Sequence, residues 1–120
     1  MKIGVSAFAW TTKFAQLHID LLPKIREHGL AGLELPMFEP ASFATSPIRR
    51  AFEANKLECT ICAILPAGIN PISPDISVRR KSIAHLVQCV ETSAELGAHL
   101  MGGPLSVSYT HLTLPTNREV

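Results

Sequence analysis

The stretch from residue 73 to residue 105 constrains the fold of this 120-residue chain more than any other. It opens with Ser73-Pro74-Asp75, a pattern typical of a helix start. The Ser73 hydroxyl can accept from an amide of the first turn, and Pro74 lacks only an N–H that would have no partner there. The Asp75 carboxylate lies at the positive end of the helix dipole. A long helical pattern follows, Gly97 ends it, and residues 99–102 form a short apolar run before a Gly-Gly-Pro turn. The stretch therefore predicts half of a strand–helix–strand unit.

Apolar residues recur at helical spacing along the long helix predicted after Asp75. They mark one face of an amphipathic helix: Val78, Ile83, Leu86, Val87, Val90 and Ala94.

Three further strands precede this unit, at residues 2–8, 31–35 and 58–65, with Pro36 limiting the second. Helical spacing over residues 18–28 and 46–55 separates them. Strands that alternate with helices predict an α/β fold with a parallel sheet and right-handed crossovers.

The spacing of the units favours a TIM barrel. Four strands in 105 residues give about 26 residues per unit, and eight such units reach roughly the 250 residues of a (β/α)8 barrel. A doubly wound sheet is the alternative, but the turn after the first strand, residues 8–12, lacks a glycine-rich phosphate-binding pattern. We therefore expect residues 1–105 to form the first four strands and three helices of a barrel, a truncated half-barrel.

Residues 106–120 continue none of this pattern, because a parallel barrel needs a helix after its fourth strand. An exposed strand is one interpretation of their polar–apolar alternation. Residues 107–112 also match one reading frame of a sequencing adapter, so we interpret this tail as non-native and exclude it from the fold.

Composition excludes several classes of protein. Apolar residues make up 47% of the chain and the net charge is +1, so we expect one packed domain with neither nucleic acid nor membrane as a partner. No apolar run reaches the roughly 18 residues of a membrane span, and the N-terminus has no signal-peptide pattern, which predicts a cytoplasmic protein.

The three cysteines do not form a disulfide framework or a metal motif in this interpretation. Cys59 and Cys62 have the spacing of a redox or zinc half-motif, but they fall on a predicted strand, where residues three apart point to opposite faces. We expect ordinary buried thiols at Cys59 and Cys62. By the same alternation, Glu34 faces the barrel interior if Leu33 and Leu35 face the helices, and a hydrogen-bonded structural role is favoured over catalysis.

Several stretches of residues 1–105 resemble the ketose 3-epimerases of the xylose-isomerase-like barrels, the D-tagatose/D-psicose 3-epimerase group. They are Lys2-Ile3-Gly4 leading to Trp10, Gly32-Leu33-Glu34-Leu35, the spacing of Ser73–Arg79, Leu96-Gly97-Ala98 and Gly102-Gly103-Pro104-Leu105. The resemblance implies a small sugar substrate, a divalent metal, expected to be manganese, and a homo-oligomeric parent enzyme. It also implies two glutamates that move the proton at C3, and these and all metal ligands come from later strands. We therefore expect no catalytic residue and no metal ligand in this chain.

The resemblance also implies that this part of the barrel supplies a wall of the sugar pocket. The implied substrate-binding residues are Ser6, Trp10, Phe14, Pro36, Cys62 and Gly103. For Trp10 and Phe14 a role in capping or anchoring the barrel is the alternative, and for Cys62 a role as a small core residue.

Three functional hypotheses follow. The first is a part of a ketohexose 3-epimerase that is inactive by itself. The second is another enzyme of the same barrel, a hydroxypyruvate isomerase, an inosose dehydratase or an endonuclease-IV-like nuclease, the last disfavoured by the near-neutral charge. The third is a non-catalytic half-barrel that associates with itself through its open sheet edges.

Overall fold

The structure, a computed structural model, describes residues 1–105; the interpretation of residues 106–120 as a non-native tail lies outside the described residues. Four strands and three helices alternate along the chain. The strands are β1 (Gly4–Ser6), β2 (Gly32–Met37), β3 (Glu58–Ala63) and β4 (Leu100–Gly102), and the helices are α1 (Leu21–Glu27), α2 (Thr45–Ala54) and α3 (Ile76–Glu95). Short 3-10 turns lie at Ala7–Ala9, Gln16–Asp20 and Pro40–Ser42.

All neighbouring strands are parallel, and the sheet order is β1-β2-β3-β4. This confirms the predicted α/β fold, four strands and three helices of a TIM barrel. The core lies between the helices and one face of the sheet. It includes Leu22, Ile25, Leu33, Leu35, Met37, Ile48, Phe52 and Ile61.

Alternation along the strands sends the remaining side chains to the other face, which we call the inner face. Register aligns Ser6, Glu34, Thr60 and Leu100 in one row across the sheet. A second row, nearer the carboxyl ends of the strands, consists of Pro36, Cys62 and Gly102. Glu34 thus lies on the inner face, as expected once Leu33 and Leu35 were found in the core.

The second strand does not stop before Pro36 as predicted but continues through it to Met37. Ile64 N donates to Met37 O, so the backbone of Met37 faces β3 and that of Pro36 faces the opposite side. On that side, the hydrogen-bonded pairing of β2 with β1 ends at Glu34, the partner of Ser6. The missing amide of Pro36 therefore leaves no ladder bond unmade, the situation in which a strand tolerates proline.

The first predicted helix is also shorter than expected. Residues 16–20 form a 3-10 turn, and the α-helix begins only at Leu21. The His18 side chain explains the difference, because its Nδ1 accepts a hydrogen bond from Ala15 N at 2.9 Å and fixes the tighter turn.

The third helix begins at Ile76, and its cap is Asp75 rather than Ser73. Asp75 Oδ1 accepts from Ser77 N at 2.8 Å, while Ser73 Oγ accepts from Asp75 N at 3.1 Å. Two successive side-chain turns thus lead into the helix. The Ser77 hydroxyl and amide hold the pKa of Asp75 below its ordinary value of 3.8.

Much of the apolar face predicted for α3 is exposed in the structure. Ile83, Val87 and Val90 are all exposed, whereas the residues buried against the rest of the protein are Ser82, Cys89, Thr92 and Ser93. Within residues 1–105, no helix has the length and apolar character needed to cross a lipid bilayer.

Candidate functional site

The carboxyl ends of β1, β2 and β3 bring together three of the six predicted site residues. Pro36 and Cys62 are direct register partners, and Ser6 pairs with Glu34, two residues before Pro36 on the same face. These positions form a continuous patch on the inner face, at the strand ends where parallel barrels build their sites.

Gly103 adjoins this patch and approaches the end of β3 closely. Its neighbour Gly102 is the register partner of Cys62, and Gly103 itself adopts a φ of +131°. A Cβ at residue 103 would lie 2.1 Å from Ala63 O. The glycine is therefore required by the contact between the two strand ends, whatever its relation to a substrate.

The Ser6 side chain already has a partner within the protein. Its hydroxyl accepts from Phe8 N at 3.3 Å and caps the 3-10 turn of Ala7–Ala9. This bond still leaves the hydroxyl hydrogen free to be donated to a ligand.

Sequence reasoning missed an aromatic pair beside this patch. Phe8 follows β1 and Phe38 follows β2, and their rings meet edge to face with centroids 6.4 Å apart and planes at 83°. The Phe8 side chain is 41% exposed, enough to offer a ring to a ligand. The sequence feature that could have indicated this pair is its position, because each Phe lies within two residues of the carboxyl end of a strand.

A cleft of about 360 Å³ opens next to the aromatic pair. Pro36 and Phe38 line it together with Lys13 and Glu39, so it combines apolar walls with both signs of charge. Its size is in the lower part of the range for small-molecule sites.

Trp10 lies apart from the patch. Its half-exposed ring lines an apolar cleft of about 370 Å³ with Val5, Leu21 and Ile25. Val5 alternates with Ser6 on β1, so this cleft is on the helix side of the sheet. Its assignment to the sugar pocket stays a prediction.

Phe14 is also apart from the patch, and its side chain is only 1% exposed. Its ring packs against Phe52, with centroids 6.5 Å apart, and against the His18 ring at 5.5 Å. In this structure Phe14 anchors the loop after β1 to the core, and a sugar contact for it stays a prediction.

The two cysteines of β3 face opposite sides of the sheet, as their spacing predicted. Cys59 belongs to the core, and burial raises the pKa of its thiol to about 12. Cys62 is half-buried on the inner face, where burial and, second, the Glu34 carboxylate raise the pKa of its thiol. Neither thiol has the lowered pKa of a reactive cysteine.

Metal ligands do not converge within the described part of the chain. Among residues 1–105, no three His, Cys, Asp or Glu side chains are placed to hold one ion. Residues 1–105 therefore do not by themselves provide the ligand set of the divalent-metal site that the resemblance implies.

The model of one protein family, the xylose isomerase-like TIM barrels, matches residues 22–118, most of the chain. The chain belongs to this family. The matched region extends past residue 105, to residue 118. A search of the curated proteins found no match.

Solved structures similar to this family member include ketose 3-epimerases. D-allulose 3-epimerase from Methylomonas sp. superposes with a TM-score of 0.82 at 16% identity, over 90% of this chain and 38% of that one. L-ribulose 3-epimerase gives 0.79 at 25% identity, over 90% and 37%. D-psicose 3-epimerase from Clostridium cellulolyticum H10, solved with D-tagatose, gives 0.75 at 22% identity, over 92% and 40%.

The chain thus spans less than half the length of the barrels that it matches, and the part matched is their N-terminal part. In this family the inner patch lies at the carboxyl ends of strands one to three of a barrel. A single barrel fold serves many reactions, so the fold by itself leaves the reaction to be argued from the site.

Proposed function

We propose that this chain provides the N-terminal wall of the sugar pocket of a ketose 3-epimerase. The observation that carries the proposal is the match to L-ribulose 3-epimerase, at 25% identity and a TM-score of 0.79 over 90% of the chain. The inner patch supports it, because Ser6, Pro36 and Cys62 lie together at the strand ends where barrel enzymes bind substrate.

The residues of this wall suit a sugar. An exposed aromatic ring such as Phe8 packs on the apolar C–H face of a pyranose or an open-chain ketose, and the Ser6 hydroxyl can donate to a sugar oxygen. The fully buried Pro36 and the half-buried Cys62 form an uncharged row on the inner face, beside the Glu34 carboxylate.

The proposal assigns these residues binding and orientation, and no proton transfer. The resemblance implies that two glutamates exchange the C3 proton and that a divalent metal, expected to be manganese, makes that proton acidic. Residues 1–105 hold no cluster for such a metal, so the proposal places these groups in a later part of a longer protein.

Sequencing of the source DNA beyond the codon for Leu105 tests this proposal. We expect a reading frame that continues into four more strand–helix units with two Glu, an Asp and a His at strand ends. The encoded protein should then interconvert a ketose and its C3 epimer, measured by chromatography with D-psicose, D-tagatose and L-ribulose as substrates.

Two results would count against the proposal. A frame that stops after Val120 in the native gene would remove the residues needed for epimerisation. An extended protein with a different ligand set and no C3 epimerase activity would instead support another reaction of the family. The purified 120-residue chain serves as the control, and epimerisation by it would contradict the assignment of catalysis to later residues.

A further inference from the structure

One carboxylate on the inner face has no partner among the described residues. Glu34 is half-buried, and no ion pair or side-chain hydrogen bond joins it to another of residues 1–105. Its register partners are Ser6 and Thr60, and the Ser6 hydroxyl already accepts from Phe8 N. Closure of a longer barrel over the inner face would remove the water that still reaches this carboxylate. A carboxylate that loses its water without gaining a partner is strongly destabilising.

Glu34 borders a hollow of about 190 Å³ at the amino-terminal end of the inner face. Gly4 and Gly32, which are direct register partners, form its floor, and neither has a side chain to fill the space. The inner face therefore has room at this level for a long side chain from the opposite wall of a barrel.

The hollow has an excess of negative charge. Two carboxylates, those of Glu34 and Glu58, line it together with one ammonium, that of Lys2. Lys2 Nζ lies 2.6 Å from Glu58 Oε1, so these two charges offset each other and the charge of Glu34 remains. The complementary occupant is a cation on an apolar stem, since the stem packs on the glycine floor while the charge reaches the carboxylate.

The position of Glu34 favours a protein cation over a sugar hydroxyl as this partner. Glu34 lies on the amino-terminal side of the row of Pro36 and Cys62, farther from the strand ends where barrel enzymes bind substrate. The hollow that it borders opens toward the opposite end of the sheet, where Lys2 and Glu58 lie.

We propose that Glu34 forms a buried ion pair with a lysine or arginine supplied by a later strand of the longer barrel. The side chains of one interior layer of a barrel come from alternate strands. Glu34 belongs to the second strand, so the cation belongs to the sixth or the eighth. The pair joins the two halves of the barrel beneath the sugar pocket, and Glu34 is a positioning residue for closure of the barrel rather than a catalytic one.

This inference rests on the part of the proposed function that places the chain in a longer barrel, and it is independent of the sugar reaction. A barrel of the family with another reaction would keep the ion pair. The C3 epimerase assay described above tests the reaction separately.

Urea denaturation of the 120-residue chain is the first test. Glu34→Gln should raise the urea midpoint or leave it unchanged, because the substitution removes a charge that has no partner in this chain. Glu91→Gln is the matched control and should change nothing, since Glu91 is exposed on α3 and forms no ion pair with another of residues 1–105. A clear loss of stability on Glu34→Gln would overturn the proposal, because Glu34 would then have a stabilising partner within this chain.

The same substitution should have the opposite effect in the extended protein obtained from the continued reading frame. There Glu34→Gln should lower the folding equilibrium constant by about a hundredfold or more, because it leaves the cation buried without its counter-charge. Replacement of that cation by Met should cause a similar loss, and the double variant should lose clearly less than the two single losses combined. Glu91→Gln again serves as the control.

Three results would overturn the proposal. They are an extended sequence without an inward-facing Lys or Arg on the sixth or eighth strand, losses that simply add in the double variant, and a native frame that ends at Val120. Only the last would also remove the proposed function. An extended protein that shows the coupling but lacks C3 epimerase activity would support the ion pair and contradict the proposed function alone.

Discussion

The backbone geometry at the end of β4 requires a glycine at position 103. Its φ is +131°, and an added Cβ would meet Ala63 O at 2.1 Å. We expect Gly103→Ala to lower the free energy of unfolding by about 2 kcal/mol or more, since the strand ends would have to separate. Urea denaturation measures the loss. Gly102→Ala is the matched control, because a Cβ there has no atom within 4 Å, and an equal loss at both positions would refute the steric explanation.

Lys2 and Glu58 form an exposed ion pair that crosses the amino-terminal end of the sheet, with Nζ 2.6 Å from Oε1. The hydrogen bond and charge of Lys2 hold the pKa of Glu58 below its ordinary value of 4.5. A lowered pKa in the folded state adds stability above pH 4.5, and this stability disappears as pH falls through the folded pKa.

Lys2→Met should therefore lower the urea midpoint slightly at neutral pH and leave it unchanged in acid, and the Glu58 pKa from an NMR titration should rise. Lys13→Met is the control for the loss of one positive charge. Lys13 is exposed and forms no ion pair with another of residues 1–105. A midpoint difference that persists in acid would show that the Lys2 effect is not the ion pair.

Strand residues of the site were predictable, and loop residues were not. Alternation alone places Pro36 and Cys62 on one face and Cys59 on the other. Beyond a strand end this rule fails, because a 3-10 turn redirects each side chain. The turn at Ala7–Ala9 exposes Phe8 beside the inner patch and sends Trp10 to the helix side. No sequence pattern in this loop distinguishes those two rings.

For helix α3, the sequence predicts where the helix lies in the chain but not which of its faces is buried. Its length and its start near Asp75 follow from the capping pattern and the run of apolar residues. Periodicity identifies an apolar stripe but not the surface that covers it. Here the buried side of α3 carries small residues such as Ser82, whose hydroxyl bonds to Val78 O in the helix and to Asn70 N in the preceding loop, and Ile83, Val87 and Val90 are left exposed.

The same element depends on one hydroxyl for the position of the loop before it. Ser82 Oγ accepts from Asn70 N and donates to Val78 O, each at 2.7 Å, and Ser82 is fully buried. Ser82→Ala should lower the free energy of unfolding by about 1–3 kcal/mol, because the Asn70 amide loses its acceptor.

Ser93→Ala is the matched control for this effect. Its buried hydroxyl only donates to Cys89 O within the helix, so the substitution leaves no loop amide without an acceptor. Urea denaturation should show a clearly smaller loss for Ser93→Ala than for Ser82→Ala. Equal losses would mean that the Ser82 bond to the loop contributes nothing.

For the whole molecule, the alternation of strands and helices was sufficient to predict a parallel four-stranded sheet, because βαβ connections admit few topologies. Register was not predictable. It depends on close contacts such as Gly4 and Gly32, where an added Cβ would lie 2.9 Å from a carbonyl of the next strand. Alternation gives the face on which Pro36 and Cys62 lie, but only the register shows that they are direct partners in the inner patch.

The distribution of acidic and histidine side chains over residues 1–105 predicts how the chain responds to metal. Since no three potential ligands converge within residues 1–105, manganese should not bind the folded chain better than the unfolded one. A ligand present at 100 times its dissociation constant would add about 2.7 kcal/mol to the folded state, a shift that thermal unfolding detects easily. We expect the melting temperature of the 120-residue chain to be the same with excess Mn²⁺ and with EDTA. A saturable rise that EDTA reverses would show that this chain holds a metal by itself, and the division of roles between the binding wall and later catalytic residues would then be wrong.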